Sequence, residues 1–322
     1  MKYNKPILLV AGEPNSIFLE IFFKSLTLKK IKNPMILICS YKLINLQMKK
    51  LKFKKKIKLI NPKNILGNKL DNKSINLIDV EYKTIKAFEK ISNKSNTYIK
   101  NSFETAFKLI KSGVTDKFIN GPISKKNFLN KKYLGITEYI SKKFLSKKNA
   151  MLIYNKKLSV CPLTTHLPLK FVSKKINKKN IIEKVFLINN FYKDKIGVMP
   201  KIGILGLNPH CESIHKYNED EKILKPSVKK LTKLGIKISG PYSADTAFLK
   251  KNRDKFDVII GMYHDQVLTP IKSLFEYDAI NITLGLPFVR ISPDHGPNES
   301  MLGKNLSNPL SLIRAIEFLD KN

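Results

Sequence analysis

The chain has 322 residues, 43% of them hydrophobic, which is enough to bury a large core in one or two domains. No run of 18 or more apolar residues occurs, which excludes a membrane-spanning helix. Three cysteines far apart in the sequence (Cys39, Cys161, Cys211) exclude a disulfide framework and suit a reducing, cytoplasmic setting.

The formal charge of +35 raises nucleic acid or an anionic membrane as partners. Nearly every base is lysine, however, only three are arginine, and Asn and Ile are abundant, the mark of an AT-rich coding bias. Readers of nucleic acid favour the bidentate fork of arginine. The clusters at 49–58 and 174–180 read as solvated faces of elements with alternating apolar residues. No nucleic-acid or membrane partner is therefore expected; the field favours anionic, phosphorylated substrates instead.

In chain order, PILLVAG (6–12) predicts a buried strand running into a Gly-Glu-Pro turn, which distinguishes it from a secretory signal. A helix over 16–30 and strands over 35–40 and 56–60 follow, and 61–98 is polar, with irregular strand-like pieces that do not resolve into elements. An amphipathic helix spans 98–113 with a glycine stop, a short strand covers 116–120, and GPISK (121–125) forms a turn able to open a helix. Further on come a helix over 135–148, two strands ending at His166, helices over 168–175 and 179–194, and a strand leading to His210 (201–210). A helix at 219–234 and a short strand IKISG precede PYSADTAFLKK; FDVIIGMY then reads as a buried strand delivering His264, Asp265 and Gln266, and DAINITLGL as another. A helix over 306–320 closes the chain. Strands alternating with helices argue for a doubly wound α/β fold.

Three of the five histidines, His166, His210 and His264, stand at predicted C-terminal strand ends, the edge where open α/β sheets bind ligands. Three imidazoles with an open position suit catalytic zinc or a similar divalent ion. His215 and His295 are further candidates by spacing. Asp245 and Asp265 read either as acid–base or orienting carboxylates or, for Asp245 and Ser243, as helix caps. Lys272 and Arg290 suit a phosphate or carboxylate clamp, Arg290 the more so because arginine is so sparingly used. The GxGxxG dinucleotide fingerprint is absent.

The ordered motifs NGPISK (120–125), GITE (135–138), TTHLPL (164–169), GLNPH (206–210), GPYSADTAF (240–248), MYHDQVLTPIK (262–272) and NITLGLPFVRISPDHG (281–296) resemble the 4-hydroxythreonine-4-phosphate dehydrogenase family of pyridoxine biosynthesis, over nearly the whole chain. The resemblance implies a homodimer with a two-lobed α/β/α fold, similar to isocitrate and isopropylmalate dehydrogenases. Its active site would lie in the interlobe cleft at the dimer interface. One lobe, on the cofactor side, would comprise 1–130 with 265–322; the other, on the metal and dimer side, 131–264. His166 and His210, with His264 from the other subunit, would hold zinc, magnesium or cobalt. Thr137, Lys272, Asn281 and Arg290 would contact the substrate, with Asp245, Asp265 and Lys272 at the chemistry. Asp294, His295, Gly303 and Asn305 would lie along NAD or NADP. The implied reaction is metal-assisted oxidation of a phosphorylated hydroxy acid, followed by loss of CO₂.

Three departures from the family pattern stand out. Ile136 replaces a substrate-binding histidine, Ser16 and Phe18 stand where glycines are expected, and Pro297-Asn298 follows Asp-His-Gly. The first leaves room for a related decarboxylase acting on another four-carbon phosphorylated hydroxy acid.

Overall fold

The computed structural model describes residues 5–27, 31–65, 70–129, 133, 135–212, 217–293 and 295–321. In chain order, β1 (Ile7–Val10), α1 (Phe18–Ser25), β2 (Met35–Cys39) and α2 (Tyr41–Lys50) lead to β3 (Ile57–Leu59), β4 (Ile75–Asp79) and α3 (Asn96–Lys111). β5 (Lys117–Asn120), α4 (Ile136–Lys143), β6 (Ala150–Tyr154), β7 (Ser159–Pro162), a single turn α5 (Val172–Lys175) and α6 (Lys178–Phe191) follow. Next come β8 (Ile202–Leu205), α7 (Lys225–Lys233), β9 (Ile238–Tyr242) and the short turns α8 (Ala244–Ala247) and α9 (Lys250–Arg253). β10 (Val258–Gly261), α10 (His264–Phe275), β11 (Ile280–Leu284), β12 (Val289–Pro293) and α11 (Leu310–Lys321) complete the order. This is a mixed α/β fold. Among the described residues no helix is long and apolar enough to cross a membrane.

The chain divides into two compact units: the described residues up to Leu145 and from Leu286 onward, and Ser146–Gly285. The crossings fall later in the chain than the boundaries expected at 130 and 264. In the second unit α10 packs on β7, and β11 pairs antiparallel with β6, which holds the segment after 264 to the strands before it.

In the first unit the strand order is β3-β4-β2-β1-β5-β12, and every pairing is parallel. Strands buried on both faces must be apolar throughout, and ILLV and MILIC are fully buried. The order reverses between β1 and β5, where the loops after the two strands interlock. Gly121 N donates to Val10 O at 2.8 Å, and Glu13 N donates to Pro122 O at 2.8 Å. Residues 121–124 have no regular structure and 125–128 form a turn, so GPISK is a turn that does not open a helix. An aromatic cluster of Phe103, Phe107, Phe118 and Tyr139 joins α3, β5 and α4.

Three elements of this unit escaped the sequence reading. α2 is started by Ser40, whose hydroxyl accepts from Leu43 N. β4 carries a buried Asn76, whose Nδ2 donates to Met35 O and Asp71 O. β12 carries the buried Arg290. The helix expected over 135–148 stops at Lys143, and Leu145 beyond it takes a left-handed φ of 53°.

The second unit has the order β11-β6-β7-β10-β8-β9. β11 and β6, and β6 and β7, run antiparallel; β7, β10, β8 and β9 are parallel. Its core gathers Ile153, Val160, Leu205, Ile259, Val267 and Ile271 between sheet and α10. β7 ends at Pro162, so His166 lies in the loop beyond the strand rather than on it. His264 opens a helix directly after β10.

Candidate active site

The three histidines follow three adjacent parallel strands of the second unit, His166 after β7, His264 after β10 and His210 after β8. Parallel neighbours end on the same edge of a sheet, so the topology brings these loops together. The His166 and His264 rings lie 5.9 Å apart, centroid to centroid, tilted by 36°. His166 and His210 adopt left-handed backbone, with φ of 50° and 56°, as does Cys211 at 61°. Such conformations are costly for residues with a Cβ and concentrate at functional sites.

Two of the imidazoles are oriented by carboxylates. His264 Nδ1 lies 2.8 Å from Asp265 Oδ1, and a carboxylate only accepts, so Nδ1 carries the proton and Nε2 presents its lone pair. His210 Nδ1 faces Ser243 Oγ at 3.4 Å, while Ser243 Oγ donates to Asp245 Oδ1 at 2.7 Å. The serine spends its proton on Asp245, so it too accepts from Nδ1 and leaves Nε2 as the lone-pair nitrogen. The Ser243 hydroxyl, with His210 nearby, holds the Asp245 carboxyl below the usual range.

A carboxylate behind an imidazole is the arrangement that prepares histidine for a divalent ion, so the donor set fits the ion that the resemblance implies. Within one chain, and among the described residues, no three His, Cys, Asp or Glu side chains converge closely enough to hold one. His215 and Asp294 lie outside the described residues.

The expected substrate residues divide between the units. Lys272, half-buried on α10, and Asn281, on β11, belong to the second; Thr137 and Arg290 belong to the first. Arg290 is only 1% exposed. Its Nε donates to Asn120 Oδ1 at 2.7 Å and its Nη1 to Thr137 Oγ1 at 3.1 Å. Burial pushes the guanidinium down to about 10, opposed by the Glu138 carboxylate. Thr137 stands in the first turn of α4, and Ile136 beside it is half-buried.

Of the expected cofactor residues, Gly303 has a φ of 71° and packs close to Phe88; a Cβ there would lie 3.2 Å from the Phe88 ring. Asn305, with φ of 59°, accepts from Lys24 Nζ through its carbonyl at 2.9 Å. Lys24 Nζ also donates to Ser307 O, and the buried Glu20 accepts from both Lys24 Nζ and Ser307 N. His295 Nδ1 lies 2.9 Å from Gly296 O. Ser16 donates to Glu13 O and accepts from Phe18 N, closing the turn that leads into α1. Pro297 O accepts from Ile17 N, so the segments around Ser16 and Pro297 touch each other.

Several residues that hold these loops have no role in the sequence reading. Asn120 and Gln266 stand inside its motifs without one. Glu20 and Lys24 form an i,i+4 pair that the sequence offers locally, but its hold on the loop at 305–307 is visible only in the fold. The buried Asp220 carries no local signal, because a buried carboxylate is recognised only once the fold has enclosed it.

The chain matches the family described as Pyridoxal phosphate biosynthetic protein PdxA over residues 30–319. It is 41% identical over 315 residues to the 4-hydroxythreonine-4-phosphate dehydrogenase of Sulfurihydrogenibium sp. (strain YO3AOP1), covering 95% of this chain and 94% of that one. The enzyme of that name from Bacteroides thetaiotaomicron is 31% identical over 326 residues, covering 98% and 88%. Among solved structures, the 4-hydroxythreonine-4-phosphate dehydrogenase of Klebsiella pneumoniae superposes with a TM-score of 0.84 at 25% identity, covering 98% of each chain.

Proposed function

Because the chain belongs to the family of the pyridoxal phosphate biosynthetic protein PdxA, we propose that it carries out a dehydrogenase step of vitamin B6 biosynthesis, the oxidation of 4-hydroxythreonine 4-phosphate. The hydroxyl carbon gives up a hydride to NAD(P)⁺ and the hydroxyl gives up its proton. The resulting β-keto acid loses CO₂ to leave 3-amino-2-oxopropyl phosphate. The observation that carries this reading is the similarity to a dehydrogenase over 95% of the chain, with the three strand-end histidines falling inside it.

Division of labour follows from the donor set. His166, His210 and His264 hold a divalent ion, zinc, magnesium or cobalt, in a homodimer in which His264 serves the neighbouring subunit's site. Lewis acidity toward the substrate hydroxyl is what such an ion supplies when bound. Asp265 and Asp245, the latter through Ser243, keep the Nδ1 protons of His264 and His210 in place, so that Nε2 remains the donor. Arg290 points its Nη1 proton at Thr137 Oγ1, which leaves the threonine hydroxyl hydrogen to be donated to the substrate. Lys272 and Asn281 bind the substrate's charged and polar groups. The loop of His295, Gly303 and Asn305, braced by Lys24 and Glu20, lies along the dinucleotide.

The test is NADH or NADPH formation from 4-hydroxythreonine 4-phosphate by the purified protein, before and after chelation and with each metal restored. Metal-dependent turnover that His210→Ala abolishes is the expected result; full activity of that variant overturns the ligand assignment. Ile136 favours a second reading, a related oxidative decarboxylase for another four-carbon phosphorylated hydroxy acid. Metal-dependent turnover of such an acid, with none of 4-hydroxythreonine 4-phosphate, establishes it.

A further inference from the structure

The three histidine loops meet through one backbone residue and one side chain. Met262, between β10 and His264, accepts at its carbonyl from Thr164 N at 3.2 Å and Thr164 Oγ1 at 2.7 Å, two residues before His166. Its N–H donates to Gln266 Oε1 at 2.6 Å. The other end of the same amide, Nε2, donates to Gly206 O at 2.8 Å, at the start of the loop that ends in His210. Gly206 N in turn donates to Tyr242 O at 2.9 Å, the residue before Ser243. The two amide ends of Gln266 therefore bind backbone groups of two different histidine loops. The amide does both because it carries an acceptor and a donor on one planar group, which an ionised carboxylate of the same length does not.

The surrounding sequence is fitted to this bridge. A Cβ at Gly261 would lie 2.9 Å from Gln266 Oε1 and 2.5 Å from Val267 Cγ1. A Cβ at Gly206 would lie 2.6 Å from Cys211 Sγ and 3.0 Å from Asp220 Oδ1. Asp220, fully buried, grips the same loop from its far side: Oδ1 accepts from Leu207 N at 2.8 Å, and Oδ2 accepts from Asn208 N at 3.0 Å and Asn208 Nδ2 at 2.8 Å.

We propose that Gln266 is a positioning residue that sets the His210 loop against the His166 loop, the two that serve one site, and fixes both to the strand end that presents His264 to the neighbouring subunit. The proposal rests on reading the three imidazoles as metal ligands. Both amide ends of Gln266 are engaged by backbone groups, so it acts by fixing where three loops present their nitrogens. A glutamate there keeps the acceptor for Met262 N–H but faces Gly206 O with a second acceptor, so it releases the His210 loop alone. A methionine of similar length releases both contacts.

The test uses the full chain with Co²⁺ as the probe, following the visible absorption of the bound ion and its Kd by competition with a chelator. Gln266→Glu is expected to weaken Co²⁺ by roughly 10–100-fold, the range for a lost outer partner, and to shift the absorption bands. The KM for NAD⁺ and the unfolding temperature of the metal-free protein are expected to stay close to those of the parent. Gln266→Met repeats the loss without adding charge; where it does not fold, the near-isosteric Gln266→Glu carries the test. Unchanged affinity and bands in Gln266→Glu overturn the proposal while leaving the ligand reading intact. A parent protein whose Co²⁺ affinity is indifferent to His166→Ala, His210→Ala and His264→Ala overturns the ligand reading itself, and with it the proposal, through variants that do not involve position 266.

Discussion

Arg290 and Glu13 each place an ionisable group inside the first unit, and each is tolerated for a different reason. Arg290 keeps its charge because Asn120 and Thr137 accept from it and Glu138 lies near. A lysine there keeps the charge but lacks the fork, so Arg290→Lys is expected to lose about 1.5–3 kcal/mol in urea unfolding, the worth of a hydrogen bond to a charged group. The KM for the phosphorylated substrate should rise more than that for NAD⁺, because the Thr137 hydroxyl loses its orienting donor. An equal rise in both would remove Thr137 and Arg290 from substrate binding. Glu13 accepts from Asn15 N and Ser95 Oγ, yet burial dominates and raises its carboxyl above 4.5, with the Glu299 carboxylate adding to the rise. A raised acid favours the protonated fold, so its contribution is complete below 4.5 and is lost as pH climbs through the folded value. Glu13→Gln keeps both contacts without the charge. Its unfolding temperature should therefore gain on the parent as pH rises from acid to neutral; a difference constant with pH would show that Glu13 ionises in the fold at no cost.

Among the elements, the interlocked loops after β1 and β5 leave the least room. A Cβ on Gly121 would lie 2.2 Å from Ala11 O and 2.7 Å from the Phe18 ring. Gly121→Ala is expected to destabilise by about 1–3 kcal/mol or more through overpacking against backbone that cannot move aside. Gly113, at the end of α3, has φ of 79° and nothing within 4 Å of a Cβ, so Gly113→Ala should cost only about 1 kcal/mol of left-handed strain. Equal losses in the two variants would mean that the loops do not interlock.

These same loops show where sequence reading succeeds and where it stops. Strands buried on both faces announce themselves as apolar runs, which is why β1, β2, β6, β8, β10 and β11 were legible. β4 and β12 were not, because Asn76 and Arg290 interrupt their runs, and the fold satisfies both side chains through partners distant in sequence. α2 was hidden by its lysines. That the histidines follow strands was legible, since an apolar run can be read locally, but not that His166 and His210 lie in loops several residues beyond their strands. Which carboxylate stands behind which imidazole, and that Gln266 spans two loops, depends on the order β7-β10-β8, which no single segment contains.

For the whole molecule, the net charge of +35 must leave a measurable trace in any reaction with anionic substrates. Two accounts differ in what they expect of salt. If the charge serves polyanion binding, the protein should bind duplex DNA tightly, with affinity falling steeply as salt rises, and should do so without His166, His210 or His264. If the lysines are solvated surface arising from coding bias, the charge acts only as a diffuse attractive field around a dehydrogenase. Clusters such as Lys54, Lys55 and Lys56 line one open cavity, yet lysines are spread along the whole sequence, so the field is not focused on one groove. A field of this kind speeds encounter without touching the chemical step. Raising ionic strength from about 20 mM to about 300 mM shortens the screening length from about 20 Å to under 10 Å. The expected outcome is a fall in kcat/KM for the phosphorylated substrate of less than roughly tenfold, at the low end of steering effects, with kcat unchanged. Steady-state kinetics across that range, with a DNA-binding isotherm at each salt, decides between the two. A kcat that fell with salt would place the charge in catalysis, and a steep DNA isotherm surviving the three histidine substitutions would give the lysines a function of their own.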